Sequence, residues 1–228
     1  MTAQTKPQAR AVTLFVGELR QLPGMGSLTG MFKQPVTEPL HLARNGLAGD
    51  RQGDRAVHGG PERALLHYPA EHYDHWREVY PDRAEEFQVA ALGENLSSRG
   101  WSEADLRVGD VFRLGTARIQ VSQPRQPCVK IAKRMRLPDL ARRVSWSGRS
   151  GWFYRVLEEG IVAPGDRLEL EQAAAHGFTL AQLWEMRNTR QPALHTLAAM
   201  AQLAELAESW RQAYAGKLAY LAARATPG

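Results

Sequence analysis

The sequence is poor in cysteine and has no long apolar stretch. Its 228 residues include a single cysteine, Cys128, so no disulfide can form within the chain. No run approaches the roughly 20 apolar residues that are needed to cross a bilayer. The first ten residues lack the apolar segment of a secretory signal. We therefore expect a cytoplasmic protein with no membrane partner.

Composition and charge indicate a globular protein but do not identify its ligand. Hydrophobic residues make up 43% and charged residues 23%, which is enough apolar mass for one large domain or for a medium domain with an appendage. Lys and Arg total 29 against 24 for Asp and Glu, a net charge of +5. This excess suits a phosphate-bearing ligand, and nucleic acid is the competing interpretation. Charge alone does not discriminate between them, so the placement of polar residues must decide.

The first three quarters of the chain reads as mainly β. Short runs that alternate apolar and polar residues, bounded by Gly, Pro or Asp, predict strands of a barrel or sandwich. Two segments with aromatic or apolar residues at helical spacing predict helices among them. The predicted strands cover Val12–Val16, Val111–Leu114, Ala117–Ser122 and Arg167–Leu170, and the predicted helices cover Pro69–Tyr80 and Asp139–Trp146.

Alanine, leucine and other helix formers take over in the last quarter of the chain. Thr179 with Gln182 predicts a capping box that opens a short helix. Pro192 is placed to start a second helix, and a further helical segment follows, with Gly216 as an interruption. We therefore expect a small unit of three helices here.

The change in composition divides the chain into a β-barrel domain, residues 1–173, and a small helical domain, residues 174–228. Three short helices can resemble a helix-turn-helix DNA-binding domain. From residue 173 onward, however, five basic residues face three acidic ones, and no helix has a basic face. Nucleic acid is therefore not an expected partner. Packing on the barrel, covering a site, or dimerisation are the roles that remain open.

A glycine-rich segment is the densest cluster of polar residues. His58-Gly59-Gly60-Pro61 places a histidine beside two glycines, where backbone N–H groups can approach a ligand. Arg63 follows closely and can bind phosphate oxygens with its guanidinium. A turn with solvated charges explains the same pattern, so both interpretations stay open.

A second cluster surrounds the only cysteine. Pro124 and Pro127 restrict the backbone before Cys128, which is thereby presented at a defined place. Nearby cations favour the thiolate, the form that attacks electrophiles or binds a soft metal: Arg125, Lys130, Lys133 and Arg134. Cys128 and Arg134 also have the spacing of cysteine-dependent phosphatases. The five residues between them contain no glycine, so they are too bulky to wrap their amides around a phosphate.

Other polar residues carry weaker signals. The turn Gly93–Leu96 contains Asn95, and the early loop Gly24–Lys33 contains Ser27 and Lys33, whose hydroxyl and amine suit a phosphate. Ordinary turns have similar compositions. His72 and His75 lie one helical turn apart, but neither a zinc-protease motif nor a second cysteine accompanies them. We therefore expect an aromatic packing face there.

Taken in order, these motifs resemble those of the MOSC domain family, the relatives of the C-terminal domain of molybdenum cofactor sulfurase. The likeness covers nearly the whole chain and is most specific in the middle, where the matching elements are Gly49-Asp50, His58–Arg63, Gly93–Leu96, Val108–Asp110 and Ser122–Cys128. It implies a twisted β-barrel that holds a pterin-based molybdenum cofactor.

The resemblance also implies roles for the residues. Cys128 is the expected ligand to molybdenum and the catalytic residue. The residues expected to bind the cofactor are Ser27, Lys33, His58, Gly59, Gly60, Arg63, Asn95 and Arg125. A dithiolene-bound molybdenum accepts a further soft thiolate, and the phosphate of the cofactor needs amides and guanidinium groups, so the chemistry of these residues agrees with the resemblance.

The resemblance implies a molybdenum-dependent oxidoreductase that reduces N-hydroxylated bases and related compounds, a detoxifying activity. The sequence has no flavin or dinucleotide fingerprint and no cysteine set for an iron–sulfur cluster, so we expect the electrons to come from a separate reductase. The alternative is a carrier of the cofactor or of its sulfur, without substrate turnover. A homodimer is left open as the oligomeric state.

Overall fold

Short alternating segments form the strands of this protein. The computed structural model describes residues 10–53 and 59–225, and within them the strands are β1 (Arg10–Ala11), β2 (Thr13–Val16), β3 (Arg20–Gln21), β4 (Leu28–Thr29), β5 (Gln34–Pro35), β6 (Leu40–Ala43), β7 (Gly46–Leu47), β8 (Leu65–His67), β9 (Leu96–Ser97), β10 (Val111–Leu114), β11 (Ala117–Pro124), β12 (Trp152–Glu158), β13 (Gly160–Val162) and β14 (Arg167–Gln172). The four predicted strands are confirmed, with β11 and β14 each continuing past the predicted end.

Nine of these strands make one mixed sheet that curls into a half-barrel, in the order β1-β14-β10-β11-β12-β8-β9-β2-β5. Its neighbours are antiparallel except β8 and β9, which run parallel with His67 beside Leu96. Strands β13, β6 and β7 form a second sheet, and β3 pairs with β4. On β11, Ala117, Ile119 and Val121 are buried in the core, as period-two alternation requires.

Six α-helices complete the described chain: α1 (Ala70–Val79), α2 (Val129–Met135), α3 (Leu140–Ser147), α4 (Leu180–Asn188), α5 (Leu194–Ala201) and α6 (Glu208–Ala225). Short 3-10 helices cover Pro61–Arg63 and Pro81–Glu86. The predicted helices α1 and α3 are confirmed. The capping box at Thr179 is also confirmed, with its side chain accepting from the Gln182 backbone at 3.2 Å.

Two features differ from the sequence-based expectations. Helix α6 runs through Gly216 without a break, because its tertiary packing outweighs the roughly 1 kcal/mol preference against glycine in a helix. Helix α2 was not predicted. It has no side-chain cap and is only seven residues long, so its sequence offers little local signal.

The C-terminal helices share one apolar core with the curled sheet. The core joins Leu183 and Trp210 of these helices to Phe112 and Val121 of the strands. A backbone bond from the Ala207 N–H to the Ser122 carbonyl, 3.0 Å long, ties the start of α6 to β11. The mainly β architecture with three C-terminal helices is therefore confirmed, and the division into two domains stays a prediction.

Within the part of the chain that the structure describes, every helix is too short or too polar to traverse a lipid bilayer.

Candidate active site

Five of the predicted site residues line one pocket: Lys33, Arg63, Asn95, Arg125 and Cys128. They come from the loop after β4, the 3-10 helix at residues 61–63, the turn before β9 and the segment after β11. The curled sheet brings these distant segments together, since β8, β9, β11 and β12 are close neighbours in it.

Cys128 is held between two anchored segments. The strand β11 ends at Pro124, and the next backbone N–H, of Arg125, donates to the Gly151 carbonyl at 2.9 Å. Cys128 immediately precedes α2, and its carbonyl accepts from the Ile131 N–H at 3.2 Å. The side chain is half-buried and lines the pocket. The fold therefore sets the position of the chain's only thiol.

Arg125 is buried and has an unused donor. Its Nη2 donates to the Leu92 carbonyl at 2.8 Å, which fixes the plane of the guanidinium. Its Nη1 is buried and has no hydrogen-bond partner among the described residues. Buried donors are nearly always paired, so this one suits an anionic oxygen supplied by a ligand.

Lys33 forms a buried ion pair with Asp50. The Lys33 ammonium donates to Asp50 Oδ1, and the Gly17 backbone N–H donates to the same oxygen at 2.8 Å. Burial lowers the pKa of Lys33, an effect that the neighbouring carboxylate opposes. The charge of this lysine is therefore compensated within the protein. Asp50 was not among the predicted site residues.

Asn95 connects this ion pair to the sheet. Its Nδ2 donates to Asp50 Oδ2 at 2.9 Å, and its Oδ1 accepts from the Leu66 N–H at 3.2 Å. The parallel pairing of β8 with β9 brings Leu66 and Asn95 side by side. The amide thus orients the Asp50 carboxylate at the wall of the pocket.

Glu94 is a fully buried carboxyl behind the pocket. It accepts from the Tyr73 hydroxyl at 2.7 Å and from the Ala90 backbone N–H at 2.6 Å. The Tyr73 hydroxyl accepts in turn from the N–H of Leu92, whose carbonyl binds Arg125. Burial raises the pKa of Glu94. Sequence reasoning missed this residue, although an acidic side chain inside the turn Gly93–Leu96 was a usable signal.

The remaining predicted site residues are placed differently. Ser27 is exposed in the early loop, and neither it nor Gly59 nor Gly60 is among the described residues that line the pocket. Gly60 has a φ of 88° with open space where a Cβ would stand, just before the 3-10 helix that carries Arg63. His58 lies outside the described residues. A cofactor-binding role for these four stays a prediction.

The two helical histidines do not form a metal site in the described part of the chain. His72 Nε2 lies 2.8 Å from Glu103 Oε2, and the His75 ring packs edge-on against Trp76. The described residues contain no group of three or more His, Cys, Asp and Glu side chains arranged to hold a metal ion. His72 and Glu103 line a separate cleft of about 700 Å³, which contains none of the predicted cofactor ligands.

The chain is similar in sequence to known proteins. The family model of the MOSC domain matches residues 54–169. The uncharacterized protein YflK of Bacillus subtilis (strain 168) is 40% identical over 189 residues, which is 83% of this chain and 84% of that protein. Protein YiiM of Escherichia coli (strain K12) is 43% identical over 159 residues, 70% of each chain.

A fungal protein and a crystal structure extend the comparison. A protein named "Reductase" from Gibberella moniliformis is 30% identical over 204 residues, which is 89% of this chain and only 36% of that longer protein. The crystal structure of YiiM from Escherichia coli superposes with a TM-score of 0.80 at 31% identity and covers 94% of both chains. The similarity therefore includes the C-terminal helices as well as the sheet.

Proposed function

Because the chain belongs to the MOSC domain family, we propose that it binds a molybdenum cofactor at Cys128 and reduces N-hydroxylated bases and related compounds. MOSC domains as a class are associated with binding of this cofactor. The observation that carries the proposal is the presence, in one pocket, of the only thiol and of a buried guanidinium whose Nη1, on Arg125, has no hydrogen-bond partner in the part of the chain that the structure describes.

The donor set fits such a cofactor. A thiolate from Cys128 is a soft ligand of the kind that molybdenum accepts beside a dithiolene. A phosphate oxygen would satisfy Arg125 Nη1, and Arg63, which lines the same pocket, offers a second guanidinium. Asp50, which accepts a hydrogen bond from Asn95, holds Lys33 in place, so the lysine contributes mainly to the shape of the pocket.

The chemistry supplied by the cofactor, when bound, is a two-electron reduction in which R–NHOH, two electrons and two protons give R–NH2 and water. The protein residues contribute ligation by Cys128, anion binding by Arg125 and Arg63, and a fixed geometry through the Asp50 network. A separate reductase would supply the electrons. The fungal relative named "Reductase", of which this chain spans about a third, supports an oxidoreductase assignment.

Metal and pterin content test the proposal first. Wild-type protein, Cys128→Ala and the neighbouring surface variant Val129→Ala would be purified from a host that makes the cofactor. We expect near-stoichiometric molybdenum, by elemental analysis, in the wild type and Val129→Ala, and its loss from Cys128→Ala. Absence of both metal and oxidised-pterin fluorescence from the wild type would overturn the proposal.

Turnover separates the enzyme from the carrier. Loaded protein with reduced methyl viologen is expected to convert an N-hydroxylated purine to the amine, followed by chromatography of the base. A protein that contains the pterin but leaves the substrate unchanged would be a carrier, and the reductase assignment would then be wrong.

A further inference from the structure

All of the net positive charge of this protein lies in one short segment. Of the 29 basic and 24 acidic residues, seven basic and one acidic lie between residues 129 and 149, so 22 and 23 remain elsewhere. This segment consists of α2, α3 and the residues after each of them. The rest of the chain is therefore nearly neutral, and the charge is a local property of these two helices.

The two helices bury one side and expose the basic one. Ile131 and Met135 of α2 pack with Leu140 and Val144 of α3 in an apolar cluster. The outer side carries side chains that are exposed or half-buried, which we call the basic face: Lys130, Lys133, Arg136, Arg142 and Arg143. Asp139 is the only acidic residue of the segment, and it is bonded to Arg143 at 2.5 Å.

Apolar side chains are exposed within the same surface. The side chain of Trp146 is 75% exposed, with the Arg142 guanidinium 4.9 Å from its ring centre, and Val129 is 56% exposed. Tryptophan and arginine are enriched in protein–protein interfaces, where they supply much of the binding energy. An exposed tryptophan on a surface with several cations is therefore suited to a protein partner with an acidic surface.

The basic face adjoins the candidate active site. Helix α2 begins directly after Cys128, and Lys130 both lines the pocket and belongs to the basic face. A protein docked on this face would lie beside the pocket wall that carries the thiol. Electron-transfer complexes have small interfaces and depend on charge complementarity for rapid association, and this surface provides such complementarity.

We propose that the basic face is the docking surface for an electron-carrier protein with an acidic surface. This inference rests on the proposed reductase function, which consumes two electrons per N-hydroxylated substrate while the carrier is oxidised. Nucleic acid would also be attracted by the charge, but the position of the face beside Cys128 favours a redox partner.

Charge reversal tests this surface. The triple variant Arg136→Glu, Arg142→Glu, Arg143→Glu changes only exposed side chains of the basic face. A matched variant, Arg44→Glu, Arg190→Glu, Arg224→Glu, makes the same change in net charge at exposed arginines outside the segment. Each loaded protein would be assayed for reduction of an N-hydroxylated purine with reduced flavodoxin, an acidic electron carrier, and separately with reduced methyl viologen.

We expect the triple variant to lose on the order of tenfold or more of its flavodoxin-driven rate at low ionic strength. The difference should shrink at high salt because ions screen exposed charges. The viologen-driven rate should be unchanged, and the matched variant should behave as the wild type with both donors. Equal losses in both variants, or no loss in either, would overturn the docking proposal.

A second measurement does not depend on turnover. Carbodiimide cross-linking of oxidised flavodoxin, followed by mass spectrometry, should join its carboxylates to Lys133 and Lys130 rather than to Lys217. Cross-links elsewhere, or stronger binding of duplex DNA than of flavodoxin on this face, would contradict the proposal. Failure of the proposed function would appear instead as no viologen-driven turnover in the wild type.

Discussion

Arg187, at the end of the first C-terminal helix, is hydrogen-bonded to Gln126 in the segment that leads to Cys128. With the Gln126 amide oxygen turned toward the guanidinium, Arg187 Nε donates at 2.6 Å and Nη2 donates to the same oxygen. The guanidinium lies over the Trp210 ring, 4.8 Å from its centre. Lys217 Nζ donates to the Arg187 carbonyl at 2.8 Å. The C-terminal helices therefore brace the segment that carries the candidate metal ligand.

Removing this brace is expected to expose the thiol. Arg187→Met keeps the length of the side chain but loses both bonds to Gln126, and bonds from a charged donor contribute about 1.5–3 kcal/mol. Local opening of the segment should then become more frequent, so alkylation of Cys128 by iodoacetamide in the cofactor-free protein should be about tenfold faster. Mass spectrometry of timed samples measures the rate.

Arg190→Met is the matched control, because Arg190 is exposed just beyond the same helix. Its alkylation rate should equal that of the wild type. If Arg187→Met reacts at the wild-type rate while remaining folded by circular dichroism, Arg187 does not position the cysteine segment.

Removing the carboxylate of the Lys33–Asp50 pair is expected to destabilise the protein more than removing the ammonium. Asp50→Asn leaves a buried ammonium without its counter-charge, and breaking a buried pair in this way destabilises by about 3–5 kcal/mol. Lys33→Met should have a smaller effect, because the Gly17 N–H and the Asn95 amide still donate to Asp50. Urea unfolding of both single variants and the double variant measures the order.

The double variant provides the control for the ion pair. It should recover part of the stability lost in Asp50→Asn, since neither charge is then buried alone. If the free energy of unfolding falls in the double variant by the sum of the two single decreases, the two residues act independently.

Local patterns account for what the sequence could predict of the fold. Strand β10 and the capping box at Thr179 are set by residues that are neighbours in the chain, and both were predicted. Helix α2 lacks a capping signal and was missed. The curled barrel was expected from a family resemblance, because strand order depends on pairings between distant segments.

The candidate site divides in the same way. Cys128 and Arg125 stand out because prolines flank them in the sequence, and both line the pocket. Asp50 and Glu94 were missed because their roles depend on partners from other segments, Lys33 for the first and Tyr73 for the second. The concentration of basic residues after Cys128 was readable in the sequence. That these residues form one face could not be predicted from the sequence, because it depends on how the two helices pack.

His67 is expected to make stability depend on pH in the acidic range. Its ring is fully buried, 3.2 Å from the Tyr154 hydroxyl and 3.1 Å from Ser98 Oγ, and burial lowers the pKa of His67 from 6.5 to about 3. Below pH 6.5 the unfolded chain binds a proton at His67 that the folded protein does not bind. The contribution to stability is therefore complete above that value and is lost as the pH falls toward 3.

The predicted loss from this one group is about 2 kcal/mol between pH 7 and pH 5. His67→Gln removes the titrating ring, so its free energy of unfolding, measured in urea, should fall less over this range than that of the wild type. His195→Gln, a change at an exposed histidine, should keep the wild-type slope. Parallel slopes for all three proteins would show that His67 is protonated equally in the folded and unfolded states.

Trp210 is expected to stabilise the sheet as well as the helices. Its side chain is 1% exposed, between Trp184 and Tyr214, with ring centres 6.1 and 5.8 Å away. These side chains belong to the same apolar core as the strands. Trp210→Ala should lower the free energy of unfolding by about 3–5 kcal/mol, because it leaves a cavity in that core. Urea unfolding followed by hydrogen exchange with mass spectrometry measures the loss in each segment.

The location of that loss tests whether residues 174–228 form a separate domain. If the helices and the sheet unfold together, peptides from β11, β12 and α6 should lose protection in one transition at a lower urea concentration. Tyr220→Ala, at a 58% exposed aromatic residue of the same helix, should leave the transition unchanged. Elements that share one core unfold cooperatively, so a cavity in that core destabilises all of them together. Loss of protection confined to α4, α5 and α6 would instead mean that the helical segment folds independently of the sheet.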